Sequence, residues 1–339
     1  MADDEERYDT EEQISEFWDK AGRSDTRAKA LELITQIVTQ RRLPIRGWMR
    51  SVIRNRSRGT GWWSNPLVVR LVNEIVCGQP VDGRDQGLIQ KLEDTYGGLL
   101  PLERGVSVGC GNGSKEMNLI EAGVVRSFDL FELSPVRIQE GERIARQRGL
   151  GDKMHFRKAN AFEVAGDPDT YDLVAWCDSL HHMPDVYRAV EWSRQVLKKG
   201  GVFFLSDFMG PTRFQWTDRQ VEMANSVRSV LDQSYLVQRS APFGPVCREV
   251  NRPTVAEMIE LDPSEAWDSS NILPAIKDNF PEAFVRMTGG VIYHLALNDV
   301  LHNFHPKRDK ALLELVMLTD RYCAEAGESH YMVALAKNS

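Results

Sequence analysis

Val106-Ser107-Val108-Gly109-Cys110-Gly111-Asn112-Gly113 is a short apolar strand that runs directly into three glycines spaced two apart. Glycine is needed where φ turns positive or where a ligand must approach bare backbone, and three in this register describe a tight turn cleared of side chains. Ser114 to Ala122 can form a helix whose free amides point back at that loop, with Gly123 placed to end it. Val125 to Phe131 reads as a second strand that finishes at Glu132, 23 positions after Gly109. A nucleoside-binding βαβ unit places its ribose-binding acid about 20 residues on. The pyrophosphate-binding version needs a further glycine three positions after Gly111, where Ser114 stands.

The same rhythm continues downstream. Ser134-Pro135 supplies an N-cap and a first helical position, and the helix runs to about Arg148. His155 to Phe162 reads as a third strand and its exit, Tyr171 to Cys177 as a fourth, and Val202 to Ser206 as a fifth, with Asp207 at its end. Between the last two, Pro184 to Lys199 reads as a helix closed by Gly200-Gly201. Phe284 to Met287 and Tyr331 to Ala336 are candidates for strands six and seven. Strands alternating with helices mean an α/β, doubly wound parallel sheet whose ligands sit beyond the carboxyl ends of the strands.

The glycine loop, the acid on time and the strand-helix rhythm together resemble the class I S-adenosylmethionine (SAM) methyltransferases, over roughly Leu102 to Asp207 plus the last strand. The resemblance implies a Rossmann-like seven-stranded sheet, SAM as cofactor and S-adenosylhomocysteine as product. It implies that the loop passes under the methionine part of the cofactor and that Glu132 takes both ribose hydroxyls. The candidate cofactor contacts are Ser107, Gly109, Cys110, Gly111, Asn112, Gly113, Glu132, Leu133, Asn160, Ala161, Cys177 and Asp178. Asn160 stands where the family often has an acid that accepts from the adenine amine, and an asparagine carbonyl can do the same. The family usually has an acid at the position of Ser107, which keeps a hydrogen bond but supplies no charge near the cofactor's ammonium.

Methyl transfer from a sulfonium is an in-line displacement of an activated methyl, so the protein supplies mainly orientation and desolvation. A hydroxyl acceptor also needs somewhere for its proton to go. The loop after strand four, Asp178-Ser179-Leu180-His181-His182-Met183-Pro184-Asp185, carries two histidines to the ligand edge. It resembles the corresponding loop of sugar O-methyltransferases of natural-product pathways, which implies a base pair of His181 with Asp207. Candidates for the acceptor wall are Trp62, Trp63, His182, Arg213, Gln215, Trp216, Tyr293 and His294, with Tyr293, His294, Asn298 and His302 at spacings that share a helix face. No metal-ligand pattern stands out. The reading is SAM-dependent methyl transfer to a hydroxyl of a small-molecule or glycan acceptor; the alternatives are an N- or C-methyltransferase and a non-catalytic SAM-binding protein.

The composition agrees with an enzyme of this kind. The 339 residues are 42% hydrophobic and 27% charged, and a net charge of −7 argues against a nucleic-acid binder. Strand four lacks the Asn/Asp-Pro-Pro-aromatic signature of nucleic-acid amino methylation. Five scattered cysteines without a Cys-x-x-Cys pair read as neither a zinc site nor a disulfide framework, and no apolar run approaches a membrane span. A cytoplasmic protein is expected. Residues 1–12 read as a disordered tail, 13–84 as a helical extension and 85–207 as the cofactor-binding core. Residues 208–274 read as a lid and 275–339 as the end of the core. The extension contains an amphipathic helix over Thr26 to Arg42, an arginine cluster from Arg41 to Arg58, and a helix opened by Asn65-Pro66. It is a candidate homodimer contact.

Overall fold

A computed structural model describes residues 13–16, 19, 61–237 and 246–339. The tail 1–12, the helix expected over 26–42, the arginine cluster 41–58 and most of the extension proposed for a dimer contact lie outside these residues.

Seven strands form one sheet: β1 (Leu102–Val108), β2 (Val125–Phe131), β3 (Met154–Arg157), β4 (Tyr171–Cys177), β5 (Leu197–Phe208), β6 (Phe284–Gly289) and β7 (Tyr331–Lys337). Their order is β3-β2-β1-β4-β5-β7-β6. The first five are mutually parallel, and β7 runs antiparallel to both of its neighbours. Buried on both faces, the central strands are apolar at nearly every position, as a covered parallel sheet requires. Val174, Trp176, Phe203 and Leu205 pack on one side with the helices Val186–Val196 and Ile272–Asn279. Leu173, Ala175, Val202 and Phe204 pack on the other with Gln86–Tyr96 and Ser114–Glu121. Trp176 is fully buried, and its indole N–H donates to Ser193 Oγ at 2.9 Å, so its one polar atom is satisfied.

Two local expectations are corrected. The helix before β5 ends at Val196, and Gly200-Gly201 lie inside the strand. Gly200 N–H donates to Asn338 O and Asn338 N–H to Gly201 O, so pairing with the chain's end extends β5 backwards. The segment carrying Tyr293 and His294 is a six-residue π-helix, Val291–Ala296, followed by turns and a 3-10 turn at Leu301–Asn303. Its start is set by Asp320, whose carboxylate accepts from the amides of Gly290 and Ile292. Tyr293, His294, Asn298 and His302 therefore do not share one helix face.

After β5 comes the segment expected to be a lid: a 3-10 turn at Thr212–Phe214, then the helices Asp218–Val230 and Val255–Leu261. Both helices open with a capping box, Thr217 with Gln220 and Thr254 with Glu257. The lid shares an apolar cluster with the helices Pro66–Cys77 and Lys310–Glu325. Asn65 caps the first of these through bonds from Leu67 N and Val68 N. Among the described residues no helix is long and apolar enough to cross a membrane. The sheet reverses its order between β1 and β4, which opens a crevice at their carboxyl ends.

Candidate active site

A cavity of about 680 Å³ opens at that crevice, within the usual range for small-molecule sites. The glycine loop forms its floor. Gly109, Gly111 and Gly113 have φ of 65°, 58° and 69°, a region that side chains rarely adopt. A Cβ on Gly113 would lie 2.9 Å from Met154 Cε and Phe156 Cζ. Gly109 N–H donates to Phe131 O at 2.8 Å, which ties the turn to β2.

Glu132 joins this loop to the next helix. Its Oε2 accepts from Gly111 N at 2.8 Å and its Oε1 from Ser134 N at 2.9 Å. Burial pushes its pKa up, against these hydrogen bonds and the nearby Arg137. Glu132, Leu133, Asn160, Ala161, Cys177, Asp178 and His182 line the cavity together with Gly109, Cys110, Gly111 and Asn112. Asn160 Oδ1 also caps its own short helix by accepting from Phe162 N. Gly113 and Ser107 are not in the lining. Ser107 Oγ donates to Glu116 Oε1 at 2.8 Å, with both residues 1% exposed, so the following helix brings a carboxylate against the strand position that lacks one.

His181 and Asp207 are not in the lining; they lie buried behind His182, and Asp207 is the hub of that group. Its Oδ1 stands 2.5 Å from His181 Nδ1, and its Oδ2 accepts from the amides of Ser179 and Leu180 at 2.9 and 2.8 Å. The carboxylate thus fixes both the imidazole and the loop that carries it. His181 Nε2 faces Glu265 Oε1 at 3.6 Å. Burial lowers the His181 pKa, but Asp207, Glu265 and Asp178 outweigh it and raise it to about 9. His182 packs against His181 with ring centroids 4.1 Å apart and the rings tilted by 39°, and its Nδ1 meets Ser264 Oγ at 3.0 Å. Burial and the charge on His181 hold the His182 pKa well below the ordinary value. His181, His182 and Glu265 bring three donor atoms within 4.8 Å of one another. An imidazolium between two carboxylates accounts for that grouping by charge balance alone.

The expected acceptor wall is only partly assembled at this cavity. Trp62 is 6% exposed and packs on Tyr293 and Tyr331, away from the lining, because its backbone N–H is anchored to Asn298 Oδ1 at 2.7 Å. Trp63 is exposed beside Arg84, whose guanidinium lies 4.9 Å from its ring. Arg213 is buried as a lid anchor: its Nη1 donates to Glu265 O and its guanidinium covers Trp267. Gln215 bridges Arg213 O and Pro253 O. Trp216 stacks between Phe214 and His330, Tyr293 is fully buried, and His294 lies in the same aromatic group. Of the acceptor candidates, His182 alone lines the cavity. In their place the segment after β5 supplies Ser264 and Trp267, the helix Ser114–Glu121 supplies Lys115, and Ile14 and Arg137 also line it. The sequence holds a signal for Lys115, which stands two positions after the last glycine of the loop; for Ser264, Glu265 and Trp267 it holds none.

Comparison with known proteins agrees with this geometry. Residues 106–205 match the family described as a methyltransferase domain. The matched stretch contains the glycine loop, Glu132 and the two-histidine loop. The chain is 30% identical over 122 residues to the 27-O-demethylrifamycin SV methyltransferase of Amycolatopsis mediterranei, covering 35% of this chain and 44% of that protein. It is 34% identical over 119 residues to the ubiquinone biosynthesis O-methyltransferase of Bordetella bronchiseptica, covering 34% and 46%. The chain thus spans less than half the length of these curated relatives. Among solved structures, it is similar to the geranyl diphosphate C-methyltransferase of Streptomyces coelicolor A3(2), at 15% identity and a TM-score of 0.42, covering 78% of this chain and 87% of that one.

Proposed function

We propose that this protein transfers the methyl group of SAM to a hydroxyl of a small-molecule acceptor. Bound SAM supplies a methyl already activated by its sulfonium. The chain's residues fit it: a loop with no side chain over its turn, an acid at the end of β2, and Asn160 at the rim of one cavity. The observation that carries the hydroxyl reading is Asp207, which holds His181 by Nδ1 and the loop by two amides, orienting one imidazole beside the cavity. Nε2 of His181 takes the acceptor's proton, and Asp207 stabilises the resulting cation, as an orienting carboxylate does in triads. Asp207 and Glu265 favour the protonated ring, and the positive sulfonium of bound SAM would oppose that charge and favour the neutral one. Trp267 and Ser264 line the same cavity as His182.

The test is turnover against a panel of hydroxylated natural-product scaffolds and sugars, read by product mass. His181→Ala should lower turnover of a methylated acceptor by about 10²–10⁴-fold, the range for loss of a positioned base, with S-adenosylhomocysteine affinity nearly intact. Turnover within a few-fold of wild type would remove the base role. Methyl found only on nitrogen or carbon would remove the hydroxyl reading.

A further inference from the structure

The proposed base faces a second carboxylate whose presence the pairing with Asp207 does not require. Glu265 Oε1 lies 3.6 Å from His181 Nε2, the atom assigned to take the acceptor's proton. Glu265 sits in the turn that follows the helix Val255–Leu261, and the backbone around it is clamped. Its carbonyl accepts from Arg213 Nη1 at 3.1 Å, and the carbonyl of Ala266 accepts from Arg213 N at 2.7 Å. Trp267 N–H donates to His181 O at 2.9 Å, which ties the turn to the loop that carries the histidines. Ala266 is held at φ 47°, a left-handed conformation that a non-glycine residue adopts only when its surroundings enforce it. The turn therefore fixes the Glu265 carboxylate against Nε2.

The two carboxylates beside the ring differ in what they can still bind. Asp207 has a fully buried side chain and is saturated by His181 Nδ1 and the amides of Ser179, Leu180 and Phe208. The Glu265 side chain is 24% exposed, so a ligand can reach it, and among the described residues its carboxylate accepts no hydrogen bond and has His181 as its one ion-pair partner. Burial raises the Glu265 pKa, and the His181 cation pulls it back. To act as a base, the imidazole must be neutral. Nε2 then presents a lone pair, and Glu265 loses the cation that it faces. A part-buried charged acceptor is costly to leave without a donor, and an alkoxide forming beside it is opposed by its charge. An acceptor that carries a second donor removes both costs. With Nε2 and Oε1 only 3.6 Å apart, a hydroxyl and a donor on the neighbouring carbon can each reach one of them at about 2.5–3.0 Å. An isolated hydroxyl leaves Oε1 unmatched.

We infer that Glu265 is a specificity-determining residue that selects acceptors with a second hydrogen-bond donor on the carbon next to the methylated hydroxyl. The first hydroxyl gives its proton to His181 Nε2 while its oxygen takes the methyl of SAM and S-adenosylhomocysteine leaves. The second group keeps its proton and donates to Glu265 Oε1. The inference rests on the hydroxyl reading and names its substrate class: vicinal diols and amino alcohols, on a sugar or on an aromatic ring.

The experiment measures kcat/KM of the full chain with SAM on matched acceptors: catechol against phenol, a methyl glycoside against its monodeoxy analogues, and each acceptor methylated in the panel against the analogue with hydrogen in place of the neighbouring group. Wild type should prefer the acceptor with two donors by about 10–100-fold, the scale of one hydrogen bond to a charged group. Glu265→Ala should reduce that preference to a few-fold, and Glu265→Gln, which keeps an acceptor without its charge, should fall between. A wild type that turns over both members of a pair within a few-fold, or a preference that survives in Glu265→Ala, would overturn the assignment. The pairing is also read without any acceptor, by histidine side-chain NMR: Glu265→Gln should lower the His181 pKa, because Glu265 is one of the charges that raise it. An unchanged titration would show that the carboxylate does not face the ring and would likewise overturn it. Methyl found only on nitrogen or carbon defeats the hydroxyl reading itself, a different failure.

Discussion

Removing the charge of Glu132 should separate two roles that this carboxylate combines. It holds the glycine loop and the next helix through Gly111 N and Ser134 N, and it is proposed to take the ribose hydroxyls as well. Glu132→Gln keeps the volume but turns an NH₂ toward one of the two backbone donors. Leaving one buried amide unpaired costs about 1–3 kcal/mol of stability. For a chain of this length that is a fall in Tm of a few degrees. The lost charged hydrogen bond to ribose removes about 1.5–3 kcal/mol of binding, which is about 10–150-fold in Kd at 1.4 kcal/mol per tenfold. Calorimetry with S-adenosylhomocysteine and its 2′-deoxyribose analogue isolates the second effect as a double-mutant cycle. Wild type should prefer the hydroxylated ligand, and Glu132→Gln should lose most of that preference. An unchanged preference, with both affinities lowered in parallel, would show that Glu132 acts only on the loop.

Three further outcomes are expected. With a turned-over acceptor, kcat/KM for SAM, which reports the base before the sulfonium is bound, should fall about tenfold per pH unit below the His181 pKa of about 9; a flat profile between pH 7 and 9 would contradict it. Burial, with His294 nearby, holds the fully buried His330 down at about 3. The unfolded chain therefore takes up a proton below about pH 6.5 that the folded one refuses, and stability falls with pH. His330→Phe should remove about 1.4 kcal/mol of that loss per pH unit between 6 and 4 in denaturant melts, and parallel wild-type and variant curves would count against it. Gly141→Ala, in the helix Pro135–Gln147, would place a Cβ 2.5 Å from Phe156 Cζ and 2.8 Å from Asn112 O. It should destabilise by about 1–3 kcal/mol despite alanine's better helix propensity, and should weaken S-adenosylhomocysteine by shifting the loop; a stabilised variant with full affinity would refute that packing argument.

The sequence by itself determined the sheet and its cofactor edge, because both rest on short-range constraints. Apolar runs of strand length, N-caps such as Asn65 and Ser134, and glycines that must turn at positive φ all act within a few residues of themselves. Asp207 beside His181 also followed from local order, since a parallel sheet brings the ends of adjacent strands together. What only the tertiary structure decided is which side chains from distant segments meet at the cavity. Trp62, Arg213, Gln215 and Trp216 have the composition of a ligand wall, yet they anchor the lid, because their partners Asn298, Glu265, Pro253 and His330 lie far along the chain. Ser264, Glu265 and Trp267 reach the histidines from a segment with no periodicity or motif of its own. The cation beside Asp178 was equally hidden. Lys115 follows the glycine loop in sequence, but its pairing depends on β4 lying next to β1, and charge partners across a sheet leave no pattern along the chain.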